Sequence, residues 1–358
     1  MGNDLRLECI AIGSMPHNNL IKAFSKVREC YSKIPFWPQM VKLSKNEDMI
    51  LQYTEGMPSF FTDKSYLDVE YDEFYDDLEQ FFVDYETVVS GEDADNQIID
   101  KYAISAEYSC SFPLLVDYIK ENDVKYAKGQ IVGPFTLSTT FVDKDGKCAV
   151  YDDTLKEIII KTLTLKALWQ IKMMKAVRPN ITPIIFIDEP SISQLGTSAY
   201  VSISDADVIC MLKEISDVIK SAGALSAVHC CGKCDWSIPI KSGISMINLD
   251  AFGFAQNLSI YSDTVEEFLK KNGKIVWGIV PTLDTEALIA SDINNIEKHF
   301  DSAVNYLTNK GIDEKLIIDN SLVSTSCGTG SLSEELAEKA FKLTSEVSEK
   351  LKERYNDL

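Results

Sequence analysis

Short runs of β-branched and other apolar residues recur along the chain. Each ends in a glycine, proline, cysteine or acidic residue and is followed by a longer stretch with apolar positions three and four apart. The short runs suit buried strands, and the longer stretches suit helices with one apolar face. Strands are predicted at 7–12, 49–53, 130–132, 184–187, 225–229, 245–249, 275–279 and 316–323. Helices are predicted at 18–31, 108–120, 155–175, 205–221, 264–271, 286–306 and 333–352. In the third of these, Leu155, Ile158, Ile159 and Leu163 fall on one face of the helix.

Strand alternating with helix is the rhythm of a parallel sheet, and eight strands are the number that closes a (β/α)8 TIM barrel. The expected fold is therefore α/β, a single TIM-barrel domain over residues 1–358. Residues 32–107 are long for one βα unit and are expected to form an elaboration at the barrel mouth, between the first strands. Within it, the acidic stretch 68–95 carries aromatic residues at helical spacing and predicts a solvated helical insertion. The segment 35–38, Pro-Phe-Trp-Pro, is expected to pack the mouth.

Polar residues follow directly on the predicted strands: Gly13-Ser14, Gly133-Pro134, Asp188-Glu189-Pro190, His229-Cys230-Cys231, Asp250, Pro281 and Cys327. The carboxyl ends of barrel strands form the active-site face, so these residues are expected to converge.

Hydrophobic residues make up 45% and charged residues 25%, ordinary values for a folded globular chain. The net charge of −20 has the wrong sign for neutralising phosphates, which argues against nucleic acid and anionic membranes as partners. No apolar run approaches the ~20 residues of a membrane span, and the amino-terminal residues lack a secretory pattern. Nine cysteines among 358 residues are too sparse for a disulfide scaffold. A reducing, cytoplasmic setting with reactive or metal-binding thiols is the expectation.

His229 and Cys231 are two apart at a strand end, so in extended geometry their side chains share one side and Cys230 points away. Cys327, at the end of the last predicted strand, offers a further soft ligand. Two cysteinates and an imidazole select zinc and leave a fourth tetrahedral position open. Cys231-Gly-Lys-Cys234 is also a C-x-x-C, so a redox dithiol or zinc knuckle is the rival reading. Asp188 and Glu189 end an Ile- and Phe-rich strand, where carboxylates are costly unless a cation is bound or a helix is capped. Ser14 sits where a hydroxyl and backbone N–H groups can hold a carboxylate, or simply turn the chain.

The ordered set Ile12-Gly13-Ser14-Met15-Pro16, Gly133-Pro134-Phe135-Thr136, Ile187-Asp188-Glu189-Pro190, His229-Cys230-Cys231, Ile247-Asn248-Leu249-Asp250 and Ser326-Cys327-Gly328 resembles the catalytic barrel of cobalamin-independent methionine synthase. It is also similar to the broader uroporphyrinogen decarboxylase/methionine synthase superfamily, which includes methylcorrinoid:coenzyme M methyltransferases. The resemblance implies a zinc-dependent thiol methyltransferase with catalytic zinc ligands His229, Cys231 and Cys327 and a fourth ligand at Asp250. It further implies that Ile12, Gly13 and Ser14 bind homocysteine and that Asp188 holds its amino group.

The departures from the synthase pattern fall on its folate side. Its folate-contacting aromatic residue is replaced at about Thr140, its folate-contacting glutamate at Gln194, and its proton-shuttling histidine at about Thr282. A methyl-folate donor needs its departing nitrogen protonated, whereas a methylcorrinoid does not. The expected donor is therefore a methylcorrinoid carried by a partner corrinoid protein, and the product methionine. The alternatives are a methyl-folate-dependent synthase, a coenzyme M-type methyltransferase, a decarboxylase-like lyase, and a corrinoid- or metal-binding module without turnover.

Overall fold

A computed structural model describes residues 3–93 and 96–357. Its centre is a curled, all-parallel sheet of six strands. They are β1 (Tyr126–Val132), β2 (Thr182–Asp188), β3 (Leu225–Cys230), β4 (Met246–Leu249), β5 (Lys274–Val280) and β6 (Ser321–Thr325). They lie side by side in chain order. Helices cross between successive strands, as parallel pairing requires. The longest, Asp153–Val177, is buried along most of its length.

The expected closed eight-strand TIM barrel is not what the chain forms, and the reasons are local. Leu7 adopts a left-handed backbone (φ 57°), so 7–12 cannot run as a regular strand. It keeps an isolated bridge from Cys9 to Val323, with Ile10 N–H donating to Val323 O at 3.0 Å. At the other edge, Phe36 bridges Lys128, but Pro35 and Pro38 have no N–H to extend a ladder. The segment 35–38 is thus an edge cover for β1, with Phe36 and Trp37 fully buried.

The predicted strand 49–53 is a turn of 3-10 helix, Leu51–Tyr53. Its buried Gln52 pairs with Gln39 and with Tyr108 O, which a sheet interior would not accommodate. The first half of the predicted strand 316–323 is the helix Glu314–Asp319, begun by an Asp313 cap on Leu316 N–H at 2.9 Å. The predicted helix 286–306 is two helices, Thr285–Ala290 and Ile293–Thr308, because Asp292 starts a new one by accepting from Asn295 N–H. Within 68–95 the helix Phe74–Ser90 forms as expected; positions 94 and 95 lie outside the described residues.

Alternation along the strands sets two faces. Ile184 and Phe186 of β2, Ala227 of β3, Met246 of β4, Val276 of β5 and Leu322 of β6 form one small apolar cluster on the concave side. The intervening residues, such as Ile185, Val228, Ile247 and Trp277, join the larger core under the helices. The same parity carries Asp188, His229 and Asn248 to the concave side above that apolar layer, in register as Asp188↔His229↔Asn248.

Lys166, in the long helix, is fully buried and spends its ammonium on Ala103 O at 2.9 Å. Burial pulls its pKa down to about 7, against the opposing charge of Glu55. The unfolded chain therefore binds more protons than the folded one above that value. Stability is expected to rise between about pH 7 and 10.5 on this account. Lys166→Met is expected to flatten that rise and to stabilise the protein at pH 7 by about 1–4 kcal/mol. Denaturant unfolding at pH 7 and pH 10 checks both; an unchanged pH slope would rule the effect out.

Candidate metal centre

His229 lies near the end of β3 and Cys231 just beyond it, while Cys327 follows β6. Their donor atoms, one imidazole nitrogen and two Sγ, all lie within 4.8 Å of one another. Zinc bonds of ~2.0–2.3 Å in a tetrahedron need donors about 3.5–4 Å apart, so one ion fits with small side-chain adjustments.

A chain of hydrogen bonds selects the imidazole nitrogen. Asn248 Nδ2 donates to Val276 O and to Ser324 Oγ, each at 2.9 Å, which turns Asn248 Oδ1 toward His229. His229 Nδ1 meets that oxygen at 2.6 Å, so Nδ1 carries the proton. Nε2 is left buried and without a hydrogen-bond partner. A buried nitrogen of this kind, facing two thiols, is what a metal ligand supported by a neighbouring acceptor looks like.

The two thiols are shifted in opposite senses. The neighbouring Cys327 thiol and the His229 imidazole draw the pKa of Cys231 down to about 4. Cys327 is pushed up by its contact with Cys231 and by burial. For His229, burial opposes protonation, but its polar contact with Cys231 and the negative charge of Asp188 outweigh that and raise its pKa.

The loop holding Cys327 is fixed by its backbone. Cys327 N–H donates to Thr282 Oγ1 at 3.0 Å, and Cys327 O accepts from the hydroxyls of Thr282 and Thr325. Gly278 lets the strands close up there, because a Cβ on it would lie 2.5 Å from Leu249 O and 2.9 Å from Ser326 Cα. Thr282 thus anchors the loop that carries Cys327.

The two acids after β2 have separate roles. Glu189 accepts from Phe135 N–H, Thr136 N–H and the Thr136 hydroxyl, and so caps the helix Pro134–Thr140. Gly133 makes room, since a Cβ there would sit 2.0 Å from Glu189 Oε2. Asp188 is buried, with Oδ1 unpartnered. Burial raises its pKa, opposed by the charges of Lys128 and His229. Lys128 is itself fully buried in β1, where its ammonium donates to Ile12 O and to Gln130 Oε1.

Ile12, Gly13 and Ser14 reach the same end of the sheet by packing on the Cys327 loop. Ser14 O accepts from Thr329 N–H and Oγ1, each at 2.9 Å, and Ser14 Oγ from Gly330 N–H at 3.3 Å. A Cβ on Gly328 would lie 2.1 Å from Ser14 Oγ. Gly13, with φ 147°, threads past Gln39 and Gln130 where a side chain would crowd both. Ser14 Oγ is therefore positioned by an accepted hydrogen bond, which leaves its O–H proton to donate to a carboxylate.

Asp250 does not join the donor cluster. It caps the helix Ala251–Leu258 through Gly253 N–H at 2.8 Å, and burial pushes its pKa up to about 6. The C-x-x-C pair is also separated in its contacts: Cys231 faces His229 and Cys327, whereas buried Cys230 neighbours Cys234. All nine cysteines are free thiols.

Asn248, Thr282 and Lys128 carry roles that spacing does not announce. Their one signal in the chain is a polar residue inside, or just past, an otherwise apolar run. No helix among the described residues is long and apolar enough to cross a membrane. No family model matches the chain, and no curated protein matches it.

Proposed function

We propose that the protein is a zinc-dependent thiol S-methyltransferase that moves a methyl group from a methylcorrinoid to homocysteine. The observation that supports this reading best is the three-donor cluster of His229, Cys231 and Cys327, with Nε2 buried and lacking a hydrogen-bond partner. Zinc at such a site supplies a Lewis-acidic fourth position at which a thiol of ordinary pKa ~8.5 is held as thiolate at neutral pH.

The chain's own groups then bind and orient. Asn248 keeps Nε2 unprotonated through Nδ1, and Thr282 holds the Cys327 loop. Asp188 offers an unpaired carboxylate oxygen, buried beside His229, to the ammonium of an amino-acid thiol. Burial of Asp188 makes that contact worth more than it would be in water and penalises a substrate without the ammonium. Holding the thiol against the donor's methyl group is where orientation contributes to rate. Thr140, Gln194 and Thr282 supply none of the folate contacts or the proton transfer of the synthase pattern, which favours the corrinoid as donor.

The test is a time course with reduced, zinc-loaded protein, methylcobalamin, and homocysteine or coenzyme M. Multiple turnovers to methionine are expected; transfer that stops at one equivalent, or none, would sink the enzymatic reading in favour of a binding module. Asp188→Ala is expected to lower turnover with homocysteine about 10- to 100-fold, the worth of a charge-assisted hydrogen bond, and to leave coenzyme M nearly unaffected. Equal losses with both thiols would remove Asp188 from the ammonium site.

A further inference from the structure

A cavity of about 650 Å³ opens at the amino-terminal ends of β3, β4 and β5. From Leu225 at its wall to His229 at the metal centre is four residues of strand, roughly 13 Å, so the two sites lie at opposite ends of the sheet. Its volume falls within the roughly 300–1,000 Å³ of small-molecule sites. Its floor is apolar, made in part by Leu225, Met246 and Phe268. The bare backbone of Gly273 lets the Phe268 ring seat there, since a Cβ would lie 2.3 Å from it.

Four lysines line this cavity against a single acid, in a chain where acids outnumber bases 55 to 35. That acid, Glu267, already lies 3.8 Å from Lys271. The other three ammonium groups meet only neutral oxygens. Lys220 donates to Gly243 O, Lys241 to Ser237 Oγ at 3.3 Å, and Lys274 to Asn320 Oδ1 at 2.7 Å. Among the described residues no carboxylate lies within 4.0 Å of these three nitrogens. Lysines at the ends of the helices Asp205–Ser221 and Ser237–Lys241 complement the helix dipoles. Lys274 opens a strand and has no such reason to be there; burial lowers its pKa, opposed by the charge of Asp319, which makes no ion pair with it.

We propose that this cavity binds a small amphiphilic anion, with a carboxylate or phosphate group held by lysines of its lining and an apolar body on the floor. The apolar lining selects against a bare inorganic ion, and the ammonium groups of Lys220, Lys241 and Lys274, none of them in an ion pair among the described residues, select against a neutral amphiphile. The occupant is distinct from the thiol and its methyl donor, so the site stands whether or not the methyltransferase reading does.

Isothermal titration of the full chain with octanoate, octyl phosphate, octanol and inorganic phosphate tests this. Saturable one-to-one binding of octanoate or octyl phosphate is expected, at least about tenfold tighter than octanol or phosphate; which of the two binds tighter identifies the headgroup. Lys274→Met and, at the exposed rim, Lys241→Met are each expected to weaken it about tenfold, as the loss of one charge-assisted contact does. Cys327→Ser is expected to bind as the wild type does. Octanol binding as tightly, wild-type affinity in both lysine variants, loss of binding in Cys327→Ser, or no saturable binding at millimolar ligand would each overturn the proposal.

Discussion

Cys327→Ser is expected to weaken zinc binding by more than a hundredfold. Four donors hold structural zinc with roughly 10–16 kcal/mol, so one lost thiolate is worth about 3 kcal/mol, or over two decades in affinity. The substitution leaves the loop in place, because Thr282 and Thr325 hold Cys327 through its backbone rather than its sulfur. Competition against a chromophoric chelator, under reducing conditions, measures the change. Wild type is expected to bind one zinc per chain. Cys230→Ala, on the opposite face of the same strand, is expected to keep it. Full affinity in Cys327→Ser would exclude Cys327 as a ligand and break the link between β3 and the β6 loop on which the proposed chemistry depends.

The second large effect is expected at a residue that touches no metal. Asn248→Leu removes the acceptor of His229 Nδ1–H and both donors that orient it. The imidazole is then free to place its proton on Nε2 and to rotate, and supporting contacts of this kind are worth 10- to 100-fold in metal affinity. Zinc affinity is expected to fall by about that factor. Asn248→Asp keeps an acceptor for Nδ1–H while losing the donors to Val276 O and Ser324 Oγ, so it is expected to lie between wild type and Asn248→Leu. Nitrogen chemical shifts of the His229 ring in the metal-free protein provide a second readout. A proton that stays on Nδ1 in Asn248→Leu would show that Asn248 does not set the tautomer, and a purely structural role would also fail to produce the ranking of the two variants.

Much of the site was legible in the chain because strand geometry is local. Once 184–187 and 225–229 read as strands, alternation alone put His229 and Cys231 on one side, sent Cys230 to the other, and placed Asp188 at a carboxyl end. The errors came where pairing or capping overrode an apolar pattern. Leu316, Ile317 and Ile318 look like the start of a strand, yet the Asp313 cap makes them helical. The expected closed barrel also failed at its edges. Whether 7–12 and 35–38 could be strands turned on the backbone of Leu7 and on the missing N–H groups of two prolines.

By itself, then, the sequence determined the parallel α/β order from β1 to β6, the concave placement of Asp188 and His229, and the net acidic charge. Each of these follows from neighbours within a few positions or from composition. Only the tertiary structure decided that Cys327 meets Cys231 and that Asn248 holds His229 with Nε2 lacking a hydrogen-bond partner. It also decided that Glu189 rather than Asp188 serves as the cap. Those outcomes depend on contacts between residues 19 to 96 positions apart. Such pairings are set by sheet register and loop closure, which spacing along the chain does not encode.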